Sequence, residues 1–150
     1  MTQPHDGSSK PSASVAQDYP GQRLGLPADG PRSVASWGRR VVALLVDWLA
    51  SRLVVGIVAG GAVWSGNGPE QFWVFVVFIG EATLLTSLLG GSFGQLLLRL
   101  AVVSVDGRPV HPLKVLLRTV LICLVIPPLV FNRDNRGLHD LAVGTITIRR

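Results

Sequence analysis

The sequence predicts an all-α membrane protein: two transmembrane helices, a third apolar helical segment that either re-enters or spans the bilayer, and a small cytoplasmic β element. Three observations lead there. Hydrophobic residues make up 48% of the chain and charged residues only 15%, a balance that leans towards a membrane protein. Apolar runs recur at about 41–63, 71–89 and 113–131. Two shorter apolar stretches, near 98–105 and 144–149, carry strand signals. A chain of 150 residues permits one such domain, over 37–150, preceded by a tail.

The tail, residues 1–36, holds half of the ten prolines, with Ser, Gly, Gln and Asp between them. It shows no apolar period, so it is expected to be disordered and cytoplasmic. No apolar stretch follows the start, so it does not read as a secretory signal.

The first span, Val41–Val63, is interrupted only by Asp47, Ser51 and Arg52 as strongly polar residues. At about 1.5 Å per residue it reaches roughly 34 Å, enough to cross a hydrocarbon core of ~30 Å. A buried helix of a soluble protein is the alternative, and this run is longer than such helices usually are. Arg40 and Asp47 are seven apart and share a face. Asp47 lies roughly 10 Å in from the Arg40 end and Arg52 roughly 18 Å in. Charges at that depth persist where they have a partner or a wet cavity. Gly56 and Gly60 form a small-residue seam that could admit another helix, or are ordinary membrane-helix glycines. Trp37 and Trp64 flank the span as interfacial indoles do.

The connector 65–70 has no Lys or Arg and reads as a non-cytoplasmic turn. The second span, Gln71–Leu89, carries one charge, Glu81, roughly 15 Å from its outer end. Arg52 enters from the opposite side to a similar depth, which predicts an Arg52–Glu81 ion pair. That pair would either stabilise the hairpin, the preferred reading, or form an ion or proton site.

Gly90–Gln95 breaks the helix. A strand follows at about 98–105 and ends on the Asp106–Gly107 turn signal. Arg99, Arg108 and Lys114 place this loop in the cytoplasm. The third apolar run, 113–131, is interrupted by Arg118 and by Pro127–Pro128. If it crossed, Arg133, Arg136, Arg149 and Arg150 would lie outside, against the positive-inside bias. The alternating Gly144–Arg149 tail also needs the 98–105 strand as partner. A re-entrant segment turning at the double proline is therefore preferred. Arg118 should match Asp47 in depth, predicting an Asp47–Arg118 or Asp47–Arg40 contact. The last polar stretch, 132–141, reads as a loop in which His139 beside Asp140 is either solvated or a proton shuttle.

The net charge of +5 and pI near 10.7 do not point to nucleic acid. In the tail Lys10, Arg23 and Arg32 are balanced by Asp6, Asp18 and Asp29, so the excess flanks the apolar spans. No soluble basic–aromatic face is evident. The single Cys123 can form no internal disulfide and has no His or Cys nearby for a metal. Phosphate loops, zinc spacings and nucleophile elbows are missing. The expectation is a non-enzyme with no catalytic residue, cofactor or metal, whose partners are the lipid bilayer and further copies of itself or another membrane protein.

Arg40-x-x-Ala43-x-x-x-Asp47, Glu81, Gly94-Gln95-x-x-x-Arg99-Leu-x-Val-Val103, Asp106-Gly107, Arg118 and Arg136-Gly-Leu-His-Asp140-Leu-Ala-x-Gly-Thr145 together resemble the RDD family, bacterial membrane proteins named for one arginine and two aspartates. Asp140 matches the second aspartate. Gln95 departs from the lysine expected in many members, so no cation is supplied there. The resemblance covers about 37–150 and implies a transport role, with ion–proton exchange suggested for some members. The functional expectation is a small multi-pass protein of the plasma membrane, N-terminus cytoplasmic, moving an ion or small solute. A non-transporting accessory or scaffold is the alternative. Arg40, Asp47, Arg52, Glu81, Arg118 and Asp140 are the candidate site residues.

Overall fold

A computed structural model describes residues 18–66, 68–124, 132 and 134–150. Two long helices, α1 (Trp37–Ala59) and α2 (Glu70–Leu89), form an antiparallel hairpin. The short α3 (Phe93–Leu97), strand β1 (Leu100–Ser104), α4 (Pro112–Cys123), α5 (Leu138–Val143) and strand β2 (Thr145–Arg149) follow. Both long helices are long and apolar enough to cross a membrane. Their outward faces carry Leu45, Leu49, Leu53, Ile57, Phe72, Trp73, Leu84 and Leu88, all exposed. So continuous an exposed apolar belt is consistent with a membrane protein.

The ends of these helices follow from single residues. The first helix stops at Gly60, whose φ of 73° is cheap only without a Cβ. A 3-10 turn over Gly60–Ser65 then folds back, and Trp64 and Val63 pack where a Cβ on Gly56 would sit. Gly56 thus makes room for the hairpin's own turn. At the other end Gly90 closes α2 with φ 76° and its N–H bonds the Thr86 carbonyl. Ser92 and Gln95 restart the chain as a reciprocal capping box on α3. The helix break expected at 90–95 therefore hides a helical turn.

The sheet pairs β1 and β2 antiparallel, from Leu100 opposite Arg149 to Ser104 opposite Thr145. On the far side of β2 the chain just before α1 adds a short third rung. Arg32 and Ala35 donate to the Arg149 and Thr147 carbonyls at 2.8 and 3.0 Å, and Arg149 donates to Ser33 at 2.9 Å. Residues 1–36 were expected to lack structure. Residues 1–17 lie outside the described part, but 32–35 are built into the domain, with Ser33 and Ala35 buried. The reason is the exposed edge of β2, whose backbone groups need partners.

The alternation of β2 sorts its faces. Ile146 and Ile148 pack with Ala101, Leu24, Leu26 and Val34. Thr145 and Thr147 are buried on the opposite side, against α5. Helix α4 leaves this layer at Pro112, a favourable first-turn proline, and its 12 residues rise about 18 Å. The chain is back at the layer by Asn135, whose side chain donates to Ala35. The proposed turn at Pro127–Pro128 lies outside the described residues. The stretch read as a polar loop at 132–141 contains α5.

The hairpin and the lower layer meet where Gly94 faces α1. A Cβ there would collide with the Ala43 carbonyl. Gly94→Ala should lower stability in detergent by about 1–3 kcal/mol. Gly80→Ala, where a Cβ meets nothing within 4 Å, should leave it unchanged or raise it by up to about 1 kcal/mol. Denaturant titration of the two variants side by side checks the contrast.

Candidate functional site

The site is assembled around Asp140, which is completely buried. Helix α5 presents it towards β2 and towards α1 and α4. Arg118 Nε donates to Oδ1 at 2.7 Å. Arg40 Nη1 donates to Oδ2 at 3.3 Å. Thr145 and Thr147 hydroxyls donate at 3.1 and 3.3 Å, and His139 Nε2 stands 3.7 Å from Oδ1. The threonines sit there because alternate residues of β2 share one face. Arg40 also donates through Nε to Ala35 and through Nη2 to the Thr147 carbonyl. Arg136 ties the same corner, donating to the Thr145 and Asp140 carbonyls.

Burial pushes the Asp140 carboxyl up, but Arg118, then His139 and Arg40, outweigh it and hold it well below the usual carboxylate range. The folded state therefore favours the ionised form.

Asp47 forms a second centre. Its carboxylate accepts from the Ser92 hydroxyl at 2.5 Å and from the Gly94 N–H, which tethers α1 to the start of α3. The predicted Asp47–Arg40 or Asp47–Arg118 contact is not made, because both arginines are taken by Asp140. Asp47, Arg40 and Arg118 nevertheless line one cavity of about 60 Å³, with Ser92, Gln95 and His139.

The predicted Arg52–Glu81 pair is also absent. Arg52 reaches outward, donating to the Val63 carbonyl at 2.6 Å and to Gln71 at 3.2 Å, with its guanidinium 5.3 Å from the Trp64 ring centre. Glu81 reaches inward and accepts from the Phe93 N–H at 2.7 Å. Each long side chain runs to the nearer end of the hairpin instead of pairing at mid-depth. Among the described residues no three His, Cys, Asp or Glu side chains gather as a metal set.

The model of the RDD family matches residues 34–144, a segment that contains Arg40, Asp47, Arg118 and Asp140. The chain belongs to the RDD family. Neither a curated protein nor a solved structure matches it. The RDD stretch thus brings Arg40 and Asp140 into one cluster across 100 positions of sequence, while Asp47 stands beside it across the cavity. Thr145, Thr147, Ser92, Gly94 and Arg136 went unnoticed as partners. The Thr-Ile-Thr-Ile alternation carried the signal for two of them, since a strand with an apolar face on one side has a hydroxyl face on the other.

Asp140→Asn should destabilise the protein by about 3–5 kcal/mol, because two buried guanidinium groups lose their counter-charge. The acid limb checks the same point. A carboxyl depressed in the folded state contributes stability that is present above its unfolded value, 3.8, and lost as pH falls below it. Unfolding midpoints should hold from pH 7 to about pH 4 as far as Asp140 is concerned. Below that the wild type should lose stability more steeply than Asp140→Asn.

Proposed function

We propose that this RDD protein is a multi-pass integral protein of the cell membrane that moves an ion or small solute. The observation that carries this reading is the cavity lined by Asp47, Arg40 and Arg118 between helices whose outer faces are apolar. Polar lining of that kind, set beside surface fit for lipid, is where transported species are handled in membrane proteins. Two crossings enclose little pathway alone, so the working form is an oligomer or a complex with another membrane protein. The proposal assigns no enzymatic step and no cofactor.

The topology proposed has both flanks of the membrane domain in the cytoplasm. Residues 32–35, β1 and β2 share one sheet, and the basic residues Arg99, Arg108, Lys114, Arg149 and Arg150 cluster around that layer in sequence. A segment that leaves the layer at Pro112 and returns by Asn135 supports re-entry over a full third crossing. Arg52 and Glu81 stand outside the proposed path. Asp47, Arg40 and Arg118 remain in it.

A second reading, a non-transporting scaffold, is favoured by one observation. Every carboxylate oxygen of Asp140 is engaged by arginine and threonine donors, as in a structural clamp.

Reconstitution of the full chain into vesicles separates the two. Transport predicts ion or proton flux above protein-free vesicles and at least a tenfold loss in Asp47→Asn. Absence of flux for a panel of monovalent cations, protons and small anions favours the scaffold. A reporter fused after Arg150 should report a cytoplasmic position, and an external signal overturns the re-entrant topology.

A further inference from the structure

Helices α1 and α4 both pack on α2 but scarcely on each other. The gap between them is the cavity already described, and its lining is divided by chemistry. Arg40, Arg118 and His139, with Asp47 and Ser92, supply polar groups, while Val41, Leu44, Phe78, Ala82 and Ile122 supply apolar ones. Trp37, 47% exposed, lines it as well.

Arg118 is the unusual member. Its side chain retains only 5% of its exposure. Nε serves Asp140 and Nη2 serves Thr147, yet Nη1 has no acceptor among the described residues. That nitrogen is not sealed off: it keeps accessible surface on the cavity that Arg118 lines, so a ligand oxygen there would take the place of water on an open donor. The carboxylates nearby do not supply that oxygen. Asp140 is saturated behind the arginines, and Asp47 is held by Ser92 and Gly94.

We propose that the α1–α4 gap binds a phosphate-type oxyanion, with Arg118 Nη1 as its principal donor. The volume fits. About 60 Å³ admits roughly four water-sized positions at ~15 Å³ each, comparable with the four oxygens of a tetrahedral phosphate. Guanidinium groups suit such oxyanions by geometry and by charge. The apolar part of the lining gives acyl chains a surface to follow, and Trp37 suits a headgroup level. The phosphate can belong to a membrane lipid or be free in solution. The site goes beyond the transport proposal: it requires that the chain sit in a membrane and does not require flux.

The test uses the full chain in mild detergent. Native mass spectrometry after incubation with phosphatidylglycerol is compared with the same incubation with diacylglycerol, which keeps the tails and lacks the phosphate. A third arm measures inorganic phosphate binding by calorimetry. Arg118→Lys keeps a cation for Asp140 and removes the Nη1 donor. Leu44→Trp fills the gap and leaves the ionic cluster untouched.

One phosphatidylglycerol retained per chain, little diacylglycerol, and at least a tenfold weaker retention in either folded variant support a lipid source. Binding of inorganic phosphate without lipid retention, lost in the same variants, supports a free phosphate. Equal retention of both lipids by the wild type, with no binding of inorganic phosphate, overturns the proposal without recourse to any variant. So does failure to bind either ligand, or binding that survives both substitutions. A chain that inserts into vesicles yet holds no phosphate overturns this site and leaves the membrane reading standing.

Discussion

A carboxylate removed from water must be neutralised where it lies, and Asp140 imposes that requirement on nearly everything around it. Helix α5 carries it, α1 and α4 each bring a guanidinium, and β2 brings two hydroxyls. None of these elements can shift far without leaving a charge unmatched, which is why the cluster acts as a clamp between the hairpin and the layer beneath it. The clamp also explains the short third rung of the sheet. Arg40 bonds the Ala35 and Thr147 carbonyls as well as Asp140, so the segment entering α1 is held against β2 by the same side chain.

Asp47 works differently. Its partners are a hydroxyl and a backbone N–H at the start of α3, not a cation. A helix that ends at Gly90 and restarts at Ser92 turns fresh N–H groups towards α1, and these are what a carboxylate accepts from. The absence of a Cβ at Gly94 allows α1 to come close enough. Two aspartates in one domain thus meet the cost of burial by two routes: counter-charge for Asp140, helix-start donors for Asp47.

The two long apolar helices were legible because hydropathy over twenty residues is a strong signal, and the β1–β2 pair was legible because alternation and the Asp106–Gly107 turn agree. The pairing of charges was not. Depth along a helix places Cα atoms, whereas Arg52 and Glu81 carry their charges a turn or more away from that point and in opposite directions. Asp140 was hidden by its surroundings. The polar run from Asn132 to Asn135 and the glycine at 137 suggest a loop, and a helix as short as α5 leaves no period to detect. Residues 32–35 looked structureless because their ordering comes from an edge over a hundred positions away, which no local window can report. Only the motif resemblance linked Arg40 with Asp140.

That separation bears on how the chain is made. Arg40 and its counter-ion are 100 residues apart, and synthesis releases the arginine first. The helical hairpin can form while Asp140 and β2 are still unbuilt, leaving the guanidinium without its counter-ion in the interval. Closure of the lower layer is then the last event of folding, and a slow one, since it joins the most distant parts of the chain. A truncation short of β2 would leave the hairpin with an unclosed base and an uncompensated Arg40, an obvious substrate for quality-control proteolysis.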